Sequence, residues 1–208
     1  MRSLERIMLV ICLGVAPAYA NEAYEELYRQ YEIPRELNRQ AVPVCYHHGC
    51  ESVARVQLSD EAWREITRHL NDPAPDAATE RARIRLTIAE FERVAGALAG
   101  TDRDRAGDLA AFGTLAPQQD CIDESANTTV YLSLLEQAGL LKWHTVMTRA
   151  HRGYLFFGGW PHFTARIRDL QAGSEWVVDS WFYDNGEPPE IMELSVWKSG
   201  WKPEGFTL

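Results

Sequence analysis

Residues 120–139, DCIDESANTTVYLSLLEQAG, have a marked start, a marked stop and an apolar interior, and the segments after them have the opposite periodicity. Asp120 stands where a helix N-cap belongs, Asp123 follows three residues later, and Gly139 supplies the left-handed stop. Downstream, HFTARIRD and EWVVDSWF are strand-like and are separated by a turn at 171–174 that contains Gly173. A helix followed by an antiparallel hairpin must bury one against the other, which restricts the chain to the α+β class.

Ahead of this unit, residues 21–100 read as mainly helical. A short amphipathic helix over 22–31 ends before Pro34, and residues 52–58 alternate as a brief strand. Ser59 is an N-cap followed by Asp60 and Glu61, with Trp63, Ile66 and Leu70 on one face. Residues 71–75 break that helix. The longest helix covers 77–98, with Ile84, Ile88, Phe91 and Val94 as its apolar stripe and its charged face expected in water. Residues 100–119 show no period. Asp102, Asp104 and Asp108 resemble part of a calcium loop, but Ala106 and Gly113 occupy later ligand positions, so a solvated, mobile loop is expected, forming one wall of a cleft. Near the C-terminus, Asn185-Gly186 marks a turn, Pro188-Pro189 excludes regular helix, and residues 191–194 read as an edge strand.

Residues 1–20 read as a secretory signal peptide: Arg2 and Arg6 flank a nine-residue apolar run, and Ala18-Tyr19-Ala20 offers cleavage after Ala20. The run is too short to span a bilayer, so a periplasmic or secreted protein without membrane insertion after cleavage is expected. Residues 21–208 then form one domain, with a mainly helical part at 21–100 and a catalytic core at 115–208. Arg2, Arg6 and Glu5 fall in the leader, so 21 basic against 30 acidic side chains becomes 19 against 29. An acidic chain with no basic run argues against nucleic acid and anionic membranes as partners.

Export makes the cysteine count informative. Cys45, Cys50 and Cys121 are an odd number in an oxidising compartment. Cys45 and Cys50 lie in VCYHHGC, where Gly49 lets the chain turn back to close a small disulfide loop, leaving Cys121 free. Two readings compete with the disulfide: a soft-metal site made with His47 and His48, and unpaired structural thiols.

Cys121 falls in the first turn of its helix, where unpaired N–H groups and the helix dipole favour a thiolate, while Asp120, Asp123 and Glu124 disfavour one. His162 opens one strand of the hairpin and Asp179 closes the other, so a tight hairpin sets them opposite or diagonal. Sulfur, imidazole and carboxylate in that order suit a thiol nucleophile with a base and an orienter. The bland alternatives are a buried inert cysteine, a core histidine and a strand-end hydrogen-bonder, with Asp184 as a fallback orienter.

These residues resemble the transglutaminase-like cysteine hydrolases of the papain-like group, which include bacterial transglutaminase-like cysteine proteinases. The resemblance covers about residues 115–185 and rests on Cys121 and its helix, Gly139-Leu140-Leu141, His162-Phe163 and Trp176-Val177-Val178-Asp179. Asp120, where a small residue is common, and Arg166, where an acidic residue is frequent, depart from the pattern. The resemblance implies a papain-like core in which the nucleophile helix packs on a small antiparallel sheet. It also implies acyl chemistry on an amide by Cys121 as nucleophile, His162 as base then acid, and Asp179 as orienter.

For the oxyanion, the backbone N–H of Cys121 is one donor, and Gln118 and Gln119 are the nearest side-chain amides. Trp160 and Trp181 are candidates to roof the cleft, although aromatics more often fill cores. The expectation is an exported thiol-dependent hydrolase or acyltransferase that needs no cofactor or metal and acts on peptide or isopeptide bonds of a cell-envelope substrate. The alternative is a catalytically silent member of the fold that binds a peptide or an envelope protein.

Overall fold

The computed structural model describes residues 21–108, 118–153 and 161–206; the expected leader, Gly113 and Trp160 lie outside them. In chain order the elements are α1 (Glu22–Gln30), β1 (Val42–Tyr46), β2 (Ser52–Val56), α2 (Asp60–Thr67), α3 (Ala77–Ala99), α4 (Cys121–Gln137), β3 (His144–Arg152), β4 (His162–Asp169), β5 (Glu175–Asp179), β6 (Glu190–Glu193) and α5 (Leu194–Lys198). The class is α+β. Among the described residues β1 and β2 form one antiparallel hairpin, and the other strands form an antiparallel sheet in the order β3-β4-β5-β6.

Local chemistry starts and stops the helices. Ser59 accepts from the N–H of Ala62 at 3.1 Å and Asp76 from that of Thr79 at 2.7 Å. α3 ends where Gly100 takes φ 82°, a left-handed turn without penalty only for glycine. Two strands were not legible. β1 is five residues long, holds Pro43 and is buried on both faces, so it shows no alternation. In β3 an irregularity between Met147 and Ala150 shifts the register, so its alternation changes phase midway.

α4 is the spine. α1, α3, β1 and the four-stranded sheet surround it, so almost all of its side chains are buried, polar ones included. On it, Ala126, Val130 and Leu134 join Ala165, Ile167 and Val178 of the sheet in one apolar core, and Tyr131 stacks on Phe91 of α3 at 4.2 Å. The buried polar groups are matched: Asn127 accepts from the N–H of Cys45 and donates to its carbonyl, and the Thr128 and Ser180 hydroxyls bond at 2.8 Å.

The charged face of α3 is not all in water. Glu80, Glu90 and Glu92 are buried. Glu80 accepts from the N–H groups of Lys142, Trp143 and His144 and from Nδ1 of His144 at 2.7–3.0 Å, which pins α3 to the start of β3. Burial raises its pKa, but these donors outweigh burial and hold the carboxyl below its ordinary value. The loop after α3 is likewise not simply solvated: Thr101 and Asp104 are buried, and Asp108 meets His48 Nε2 at 3.0 Å.

Candidate functional site

Three segments converge at one end of the sheet. The register of β4 and β5 pairs Ala165 with Val178 and Arg166 with Val177, so continuing it sets His162 diagonal to Asp179. The two side chains meet: Nε2 of His162 lies 2.8 Å from Oδ2 of Asp179, both nearly sealed from water. The same carboxylate oxygen accepts from the indole N–H of Trp197 on α5 at 2.6 Å, so two donors fix its orientation. With Nε2–H committed to Asp179, Nδ1 is the free ring nitrogen; it is buried and has no hydrogen-bond partner among the described residues.

Cys121 opens α4. The Asp120 carboxylate caps the helix by accepting from the N–H groups of Ile122 and Asp123, while Asp123 accepts from the N–H of Asp120, a complete capping box. Cys121 packs against Trp181 and Phe182, and the rings of those two residues lie 4.7 and 5.2 Å from that of His162. The backbone N–H of Phe163, the residue after His162, points at the sulfur, as does the N–H of Cys121 itself. No hydrogen bond joins the sulfur to the imidazole.

Cys121 is 7% exposed. Burial pushes its thiol up to about 12, Asp120 and Asp179 add to the rise, and the two N–H groups only partly offset it. The competition between helix terminus and carboxylates, open in the sequence, therefore goes to burial and the carboxylates, and the resting group is a thiol.

The disulfide expectation holds: Cys45 and Cys50 are bonded, and Cys121 is the free cysteine among the described residues. Their sulfurs and an oxygen of Asp123 lie within 4.8 Å of one another, but bonded sulfurs are not thiolate ligands. His47 turns to Ser52 and His48 to Asp108. The loop clamps the start of α4 instead: the N–H groups of His48 and Cys50 bond Asp123 at 2.8 and 2.6 Å, and that of Gly49 bonds Asp120 at 3.1 Å. His47, His48 and Cys50 adopt positive φ to aim these donors, a backbone strain held by the closed loop.

The candidate oxyanion amides have structural partners. Gln119 donates to the carbonyl of Cys45 at 2.8 Å and Gln118 to that of Arg103 at 3.2 Å. Asp184 is held by Arg105 and the N–H of Ala106, so Asp179 is the carboxylate that meets the imidazole. Trp181 packs on the site and donates to the carbonyl of Asp108 at 2.9 Å.

Two features had no signal of their own in the sequence. Trp197 reaches Asp179 only because the chain returns after β6. A cavity of about 310 Å³ beside His162 is lined by Trp181, Phe182, Phe206, Arg152, Lys198 and Lys202, together with the small residues Gly153, Ser199 and Gly200. Comparison of the chain with protein-family models, curated proteins and solved structures gives no match.

Proposed function

We propose that the chain is an exported thiol-dependent hydrolase or acyltransferase that acts on peptide or isopeptide amide bonds through Cys121, His162 and Asp179. The observation that carries this reading is the state of His162. A carboxylate fixed by two donors holds Nε2, and Nδ1 has no partner among the described residues, at the end of the strand whose next N–H touches the sulfur. An imidazole buried only for packing would bond both nitrogens.

In the proposed reaction Nδ1 takes the thiol proton as the sulfur attacks the amide carbon, and Asp179 stabilises the imidazolium. The oxyanion turns to the N–H of Cys121. As the C–N bond breaks, the imidazolium returns the proton to the leaving amine. Water or an acceptor amine, deprotonated by the same nitrogen, then releases the acyl group and regenerates the thiol. Because the resting thiol sits at about 12, substrate entry must bring sulfur and imidazole together before transfer.

That same burial favours a second reading, a silent fold that binds peptides. Iodoacetamide labelling from pH 5 to 9, with the modified residue located by peptide mass mapping and hydrolysis followed on a quenched-peptide library, separates the two. The enzyme reading expects turnover of library peptides that is lost in His162→Ala and after alkylation of Cys121. A thiol that reacts only after denaturation, with no turnover, assigns the chain to the silent class.

A further inference from the structure

The cavity beside His162 has a charge unlike the rest of the chain. The protein carries 30 acidic against 21 basic side chains and only three lysines, Lys142, Lys198 and Lys202. Two of the three border this one cavity, and no Asp or Glu lines it. Neither Lys198 nor Lys202 has an ion-pair partner among the described residues, whereas arginines elsewhere, such as Arg81, Arg93 and Arg166, are each set against carboxylates.

Arg152 also borders the cavity, with its charge partly balanced by the Asp179 carboxylate. It donates to the carbonyls of Trp197 and Trp201, and its guanidinium lies 4.3 Å from the Trp197 ring centroid. The remaining wall is apolar and continuous, with Phe206 5.6 Å from Trp181 and 5.0 Å from Phe182 between ring centroids. Two lysines without ion-pair partners among the described residues, lining an aromatic cavity, suit an anion on an apolar stem. About 310 Å³ takes one or two residues of a peptide.

We propose that this cavity is a carboxylate subsite, in which Lys198 and Lys202 bind the anionic end of an acidic peptide whose stem lies on Trp181, Phe182 and Phe206. Its position against the ring of His162 makes it the pocket for the residue next to the amide that is cut or bound. This rests on the reading that the His162 face receives peptide, and it does not require turnover.

The test is binding at equilibrium to the full chain carrying Cys121→Ala, which separates recognition from chemistry. The probes are N-acetylated peptides of six residues with Glu or Gln beside a Phe, each ending in a free acid or an amide. At least one carboxylate form binds about tenfold or more tightly than its neutral match, and the margin shrinks as salt rises. A margin between Glu and Gln identifies a side-chain carboxylate as the ligand; one between acid and amide termini identifies the chain end. Lys198→Met with Lys202→Met abolishes the margin between charged and neutral peptides, and the double Arg variant restores it. Equal affinity for charged and neutral forms, or a margin that survives the double Met change, overturns the proposal. Carboxylate discrimination without His162-dependent turnover removes only the catalytic reading.

Discussion

Glu92→Gln should make this protein more stable as the pH rises. Glu92, on α3, is buried against the start of α4 and faces Asp104 of the following loop, Glu124 and Tyr131 of α4, the Ser180 hydroxyl and the N–H of Gly186; one of its carboxylate oxygens has no partner among the described residues. Burial pushes its carboxyl up from 4.5 to about 8, and the Asp104 carboxylate adds to the rise. The folded state therefore holds a proton that the unfolded chain releases near 4.5, and stability conferred by that proton is full below 4.5 and lost as the pH rises to about 8.

At about 1.4 kcal/mol per pH unit, the ceiling for this one group is about 5 kcal/mol, comparable to the whole stability of many domains. Gln keeps the shape and cannot ionise. Urea unfolding under non-reducing conditions at pH 5, 6, 7 and 8 should give near-equal stabilities at pH 5 and a widening advantage for the variant of about 1 kcal/mol per unit above it. The carboxyls held low, Asp76, Asp169 and Asp184 among them, act below this window; burial raises Asp104, Asp123 and Glu124 as well, Asp104 and Asp123 into it at about 7, so both proteins lose stability with pH and the reading is the difference between them. A variant destabilised equally at every pH, or one with the wild-type slope, would refute the assignment of a buried, protonated Glu92.

Two further outcomes follow from the way the helices are held. Reducing the Cys45–Cys50 bond should lower stability by about 2 kcal/mol, the loop-closure value for so short a ring, with further loss as the donors to Asp120 and Asp123 loosen; denaturation with and without a phosphine reductant measures it. Glu80→Ala leaves the N–H groups of Lys142, Trp143 and His144 without their acceptor and should cost about 3 kcal/mol or more by urea titration, whereas an exposed control such as Glu61→Ala should cost under about 0.5 kcal/mol.

Pairwise, local relations were legible in the chain. Asp120, Asp123 and Gly139 bracket α4 because caps are contacts over two to four residues, and the His162 to Asp179 diagonal follows from a hairpin with a short turn. The Cys45–Cys50 ring, five residues apart, is of the same kind. Relations across long separations were not legible. β3 escaped because its irregularity breaks the period, and the burial of Glu80 and Glu92 escaped because a helix pattern cannot tell which charged residues another element will cover.

The sequence by itself determined the α+β class, the helix that begins at Cys121 and the hairpin that carries His162 and Asp179, and it offered the Cys45–Cys50 disulfide as one of three readings. Only the tertiary structure decided that the sulfur is buried and protonated, that Trp197 is the second donor to Asp179, and that two of three lysines border one cavity. Caps, turns and strand alternation are set by neighbours in the chain, whereas desolvation and local charge depend on which distant segments pack together.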